Sequence, residues 1–199
     1  MATSAMAAPR RRHLLAASLA AAALPAACSS PNPTLYALQP VAGVARAGGP
    51  RVVQLRPIGL ARYLDRQQIV RSAEDYRLDV AADDWWGEPL GAMLTRILVE
   101  ELSQRLPGTT VLDEDGAITV DADVTVEINL RRLDASRTGE VVLAAQVAVA
   151  ARRSPRRPPA TRAFGTSVPQ ASPDLNGFVA AALAAVGRLA DAIAELVRA

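Results

Sequence analysis

The chain has no lysine anywhere in its 199 residues, and only one histidine and one cysteine. Without lysine there is no Schiff-base nucleophile and no phosphate-loop cation. One histidine and one cysteine cannot build a structural zinc site, and a lone cysteine makes no internal disulfide. Aromatic residues make up only 4 %, so the adjacent pair Trp85-Trp86 stands out. What remains for enzymatic chemistry is carboxylates: Asp83-Asp84, Asp113-Glu114-Asp115 and Asp121/Asp123. The first suits the start of a helix, the second a turn and the third the wet face of a strand. No catalytic pair is expected among them, hence no enzyme, no cofactor and no metal site.

The one cysteine, Cys28, follows a basic, then apolar, then small-residue leader. Arg10, Arg11 and Arg12 give the positive region. Leu14 to Ala23 are apolar except for Ser18, and Leu24-Pro25-Ala26-Ala27 lead into the cysteine. That order reads as a signal peptide over residues 1–27 with Cys28 as the lipidated first residue of the mature chain. The usual lipobox leucine is displaced one place to Leu24, with Pro25 standing where it is expected. A signal peptide cut elsewhere, ahead of a small buried cysteine, is the other reading. Arg11-Arg12-His13-Leu14-Leu15 loosely resembles a twin-arginine signal, so either export route fits.

Removing the leader also removes His13. The full chain carries a net charge of +2, and the leader holds three arginines and no acid, so the mature part carries −1. A nucleic-acid partner is therefore not expected. The mature part, about 170 residues, suits one domain with its own core. Residues 28–33 form a short tether before a domain at 34–199.

Hydrophobic periodicity predicts an α+β fold: a mostly antiparallel mixed sheet packed by two long helices, about 86–106 and 173–197. Leu90, Met93, Leu94, Ile97, Leu98, Leu102 and Leu106 make one apolar stripe, ended by Pro107-Gly108. Pro89 suits the first turn, which puts the helix start near Trp86. Ser172-Pro173-Asp174 offers a cap, a first-turn proline and an acid for the second helix. Its charges, Arg188, Asp191, Glu195 and Arg198, argue against a membrane span. Strands are predicted at 34–38, 52–55 and 68–72, and from the alternation of Tyr76, Leu78 and Val80. Residues 120–131 alternate strictly, as one buried and one wet face require. Residues 141–151 are apolar on both faces, which predicts a central strand, and 161–168 predict a returning one.

Three segments resemble the ABC-type transport auxiliary lipoproteins, the PqiC/YmbA-like family. They are Leu35-Tyr36-Ala37-Leu38, then Tyr63-Leu64-Asp65-Arg66-Gln67-Gln68-Ile69-Val70-Arg71, then Trp86-Gly87-Glu88-Pro89-Leu90, with Gly87 where the family more often has alanine. The resemblance implies a non-enzymatic, lipid-anchored outer-membrane protein facing the periplasm. Its implied partners are an MCE-domain periplasmic protein with its inner-membrane permease, and copies of itself in a ring. The implied role is to help move lipids or other hydrophobic molecules between membranes. A lipoprotein scaffold or pilot for another envelope machine is the alternative.

Three groups of residues are candidates for contact. Tyr63, Leu64, Asp65 and Arg66 stand in a segment that reads as a loop, and either meet a partner or subunit or, with Leu64 in the core, leave Asp65 and Arg66 to satisfy each other or local backbone. Trp85 and Trp86 divide similarly, one packing under the helix and one facing an interface or lipid. Arg152, Arg153, Arg156 and Arg157 form a proline-broken basic loop, either a solvated turn or a contact for an anionic headgroup or acidic partner.

Overall fold

In the computed structural model, residues 32–73, 76–118, 120–152 and 159–199 are described, and Asn32–Ala199 form one compact unit. Cys28, Arg153, Arg156 and Arg157 lie outside the described residues. The strands are β1 (Thr34–Tyr36), β2 (Val52–Leu55), β3 (Gly59–Leu60), β4 (Gln68–Ser72), β5 (Asp79–Trp86), β6 (Thr110–Asp113), β7 (Val124–Ala135), β8 (Glu140–Ala151) and β9 (Ala160–Pro169). The helices are α1 (Leu90–Arg105) and α2 (Leu175–Arg198). All nine strands join one mixed sheet, the α+β architecture expected.

The sheet is organised on β7. On one edge it pairs antiparallel with β8, which pairs antiparallel with β9. Along its other edge lie three short parallel strands in chain order, β2, β3 and β4, with Val53 opposite Val124, Gly59 opposite Asn129 and Ser72 opposite Ala135. β6 extends the sheet beyond β2, and β5 followed by β1 extends it beyond β4.

Alternation explains why β7 sits there. Val124, Val126, Ile128 and Leu130 are buried while Glu127, Asn129 and Arg131 are exposed. A bulge between Leu130 and Arg132 then reverses the parity, so Leu133 takes the core side opposite Leu143. The strand starts four residues later than the expected Val120, which is exposed. Its ladders begin only where β2 and the end of β8 meet Val124.

β8 is central, between β7 and β9, but only one of its faces is fully covered. Val141, Leu143, Ala145 and Val147 are buried, whereas Val142, Ala144, Ala148 and Ala150 are half-buried and Gln146 is exposed.

α2 packs on β7, β8 and β9, and α1 packs on α2 and β6. The α2 cap is Asp174, whose carboxylate accepts from the Gly177 N–H at 2.8 Å. Pro173 precedes this cap rather than entering the first turn. By length and hydropathy α2 could cross a membrane, but 67 % of its most apolar window is buried inside the fold.

Three further expectations need correction. α1 starts at Leu90, not near Trp86, because Asp79–Trp86 are drawn into β5 by pairing with β1 and β4. Asp83 and Asp84 are accordingly strand residues rather than caps. Tyr76 and Leu78 precede β5 instead of belonging to it, and Tyr76 has a left-handed φ of 62°.

Both helices and the segment 37–50 meet at Arg105, which is 1 % exposed. Its Nε donates to Asp191 Oδ1 at 2.8 Å, its Nη1 to the carbonyls of Val41 and Glu101, and its Nη2 to the Gly187 carbonyl. Glu101, also fully buried, accepts from the Val41 N–H at 2.7 Å and lies 3.8 Å from Arg105. Burial pushes the Glu101 carboxyl above its ordinary range, opposed by the Val41 hydrogen bond and the Arg105 charge. Gly43 leaves the room, since a Cβ there would stand 2.2 Å from the Arg105 guanidinium carbon.

Removing one member of such a cluster leaves buried charge uncompensated. Arg105→Met is expected to cost about 3–5 kcal/mol in chemical denaturation at neutral pH. The loss should shrink as pH falls, because the stranded Glu101, whose folded pKa is raised, is accommodated best when protonated. A cost under about 1 kcal/mol, the range of surface pairs, would show the cluster to be incidental.

Candidate contact surface

Along the edge of β7, β2, β3 and β4 read as one strand interrupted by an excursion. After Leu60 pairs with Leu130, the Ala61 N–H still donates to the Leu130 carbonyl at 2.9 Å. The chain then leaves the ladder and returns only at Ser72, opposite Ala135. Tyr63-Leu64-Asp65-Arg66 fill this excursion.

The excursion is closed from within. The Leu64 N–H donates to the Ala61 carbonyl and the Arg66 N–H to the Leu64 carbonyl, both at 2.9 Å. Leu64 is 3 % exposed and belongs to the core. The Tyr63 hydroxyl donates to Asp134 Oδ2 at 2.7 Å, while Arg132 Nε donates to Oδ1 at 2.9 Å. Burial and the neighbouring Asp134 carboxylate both push the Tyr63 phenol well above its ordinary range, so it stays protonated and donating. Asp134 is itself fully buried. It was not among the residues singled out from sequence, although a carboxylate beside a core leucine, three positions past the end of the alternation, was its available signal.

Asp65 and Arg66 sit differently. Both are exposed, and among the described residues neither makes an ion pair or side-chain hydrogen bond. Tyr63 and Leu64 thus hold the excursion in place, and Asp65 and Arg66 are what it presents.

The three segments that carried the sequence resemblance converge here. Gln68 stands opposite Trp85, and the Trp86 N–H donates to the Gln67 carbonyl at 2.8 Å. Tyr36 stands opposite Trp86 from the other side, and the Gly87 N–H donates to the Tyr36 carbonyl at 2.8 Å. A Cβ on Gly87 would lie 3.4 Å from that carbonyl oxygen, close enough to fit, so a residue as small as alanine suits the position. Trp86 is 6 % exposed and packs in the core. Trp85 is half-buried, its indole N–H on the Ala82 carbonyl, with the exposed Leu35 as its strand partner.

Asp83 and Asp84 lie on β5, and Asp113 ends β6 and accepts from the Asp115 N–H at 3.2 Å. Asp121 is fully exposed and 3.5 Å from Arg152, and Asp123 accepts from the Val52 N–H at 3.2 Å. A groove of about 360 Å³ opens where Arg56, Glu127, Asn129, Gln146 and Thr161 meet. Its cation is taken up by carboxylates, with Arg56 2.8 Å from Glu127 and 3.5 Å from Glu114. Of the basic loop only Arg152 is described.

No curated protein is significantly similar to the chain. A crystal structure of an uncharacterized protein superposes with a TM-score of 0.68 at 19 % identity, covering 82 % of this chain and 97 % of that one. A protein from Xanthomonas campestris superposes with a TM-score of 0.65 at 18 % identity, covering 80 % and 92 %. Both likenesses show the shared fold. A PelC dodecamer from Paraburkholderia phytofirmans is more distant, with a TM-score of 0.43 at 14 % identity over 79 % of this chain and 93 % of that one. The family model for the ABC-type transport auxiliary lipoprotein component matches residues 34–194, which takes in the whole sheet, α1 and most of α2. The chain belongs to the family of ABC-type transport auxiliary lipoproteins.

Proposed function

We propose that the protein is a non-enzymatic outer-membrane lipoprotein that faces the periplasm and serves an MCE-type system moving lipids or other hydrophobic molecules between membranes. The family match over residues 34–194 carries this reading. Its partners are an MCE-domain periplasmic protein with its inner-membrane permease, and copies of itself in a ring. Cys28 is the acylated residue, 28–33 the tether and 34–199 the working domain. The absence of lysine from the whole chain, and of histidine beyond His13, leaves a domain suited to contact rather than catalysis.

Within the domain, Asp65 and Arg66 are the contact residues, because they are exposed and carry no internal partner among the described residues. Trp85, half-buried beside Leu35, extends the same region. Arg152, with Arg153, Arg156 and Arg157, offers a separate contact for an anionic headgroup or an acidic partner.

Three variants test this reading. Cys28→Ser abolishes acylation, read as loss of the acyl mass, and removes the protein from the outer-membrane fraction; unchanged fractionation argues against the anchor. Asp65→Ala with Arg66→Ala leaves stability within about 0.5 kcal/mol of the parent. The same pair weakens co-purification of the MCE-domain protein or self-assembly by roughly tenfold, which is about 1.4 kcal/mol. Retention of both at parental levels rules the pair out as contacts. Tyr63→Phe behaves oppositely, costing about 1–3 kcal/mol of stability by stripping a donor from buried Asp134; a neutral effect would mean that Asp134 finds another donor.

A further inference from the structure

Few large apolar side chains are exposed among the described residues, and two of them share one hairpin end. Between β4 and β5, Tyr76 is fully exposed and Leu78 is 46 % exposed. Tyr76 also holds its left-handed φ, a conformation unfavourable for a bulky residue. Ser72 pairs with Asp79 across this hairpin and with Ala135 at the end of β7. The tip therefore projects from the end of the sheet at which β7 finishes.

β1 sets where the mature chain's start must lie. It runs parallel to β5, with Thr34 opposite Asp84 and Tyr36 opposite Trp86, so its first residue is the one nearer the hairpin tip. Between Gln68, opposite Trp85, and Ser72, opposite Asp79, β4 advances only about 13 Å. Cys28 precedes Thr34 by six residues, a chain length that spans at most about 20 Å. A bilayer holding acylated Cys28 must therefore come within that distance of Thr34, on the scale of the step from Thr34 to the tip.

We propose that Tyr76 and Leu78 insert into the interfacial layer of the bilayer beside the Cys28 anchor, making the β4–β5 tip a second membrane contact. The proposal rests on the reading of Cys28 as acylated. A leucine gives an apolar anchor, and a tyrosine sets its ring at headgroup depth with its hydroxyl in water. Arg71 is neutralised by Asp79 at 2.9 Å, and Arg77 is exposed beside the tip, where a long side chain reaches lipid phosphates. Leu35, 62 % exposed on β1, adds apolar surface along the same edge. Glu74 and Asp75 adjoin the tip in sequence, so zwitterionic rather than anionic lipid is the fitting surface. Two points of attachment would hold the domain at one orientation, where a tether alone leaves it free to turn.

The test uses the acylated mature chain. With the Cys28 sulfur consumed by acylation, Arg77→Cys introduces the only free thiol and leaves Tyr76 and Leu78 intact. Val44→Cys is the reference. Val44 is 71 % exposed beside the last turn of α1, where the Arg46 N–H meets the Arg105 carbonyl. It lies at the end where β7 begins, separated from the tip by that strand's 12 residues, about 40 Å. Each variant is labelled with an environment-sensitive fluorophore and placed in phosphatidylcholine vesicles containing brominated lipid.

The label at 77 should be quenched at least about twofold more than the label at 44, and Tyr76→Ser with Leu78→Ser should remove that difference. Equal, weak quenching at both positions overturns the proposal. So does shielding of position 77 that grows with protein density and ignores brominated lipid, which would assign the tip to a protein partner. Failure of the anchor reading is seen separately, as a mature chain without acyl mass and a second labelled thiol.

Discussion

The two helices and the segment 37–50 are joined through one buried guanidinium. Arg105 ends α1, grips α2 through Asp191 and the Gly187 carbonyl, and holds the segment 37–50 through Val41. The planar, multi-donor head of arginine is what makes this possible, since lysine offers only a point charge. The environment is built to match: Gly43 leaves room beside the guanidinium, and Glu101 supplies a second carboxylate whose burial is offset by the Val41 N–H. Hydrophobic contact alone would let the two helices slide against each other. A fully buried hydrogen-bonded cation fixes their register, because any other arrangement strands it without partners.

β7 is the spine on which the candidate contact surface is displayed. Short parallel strands laid end to end along one edge can be interrupted without unravelling the sheet, because β7 keeps its full antiparallel ladder with β8 on the other. The excursion at 61–67 uses this freedom. Asp134 closes it from beneath, and Leu64 plugs it into the core. The exposed charges of Asp65 and Arg66 are thus presented by a loop rigidly seated on a strand. A site that must meet a partner in a fixed geometry benefits from such a base.

Several features were legible in the chain itself because they depend on local periodicity or on simple inventory. The apolar stripe from Leu90 to Leu106 and the alternation through Leu130 mark α1 and β7 without reference to anything distant. Other features were not legible. Asp83, Asp84 and Trp86 look like the approach to a helix, yet pairing with β1 and β4 makes them strand. Asp134 looks like a polar residue past a strand's end, yet β7 runs on through a bulge near Arg131 and Tyr63 covers the carboxylate. Arg105 looks like an ordinary basic residue in a helix's last turn. In each case the deciding partner lies far away in sequence: Tyr36 for Trp86, Tyr63 for Asp134, and Val41 and Asp191 for Arg105.

By itself the sequence determined the chemical limits: no lysine, one histidine and one cysteine in a leader-like setting, and a fold of two amphipathic helices with alternating strands. These follow from residue identity and nearest-neighbour spacing, which require no knowledge of the fold. Only the tertiary structure decided which members of each motif are spent on packing and which are left exposed. Tyr63, Leu64 and Trp86 are consumed by the core, while Asp65, Arg66 and part of Trp85 face outward. That division is set by hydrogen bonds and burial between segments up to about seventy residues apart, as with Tyr63 and Asp134, and no local pattern encodes them.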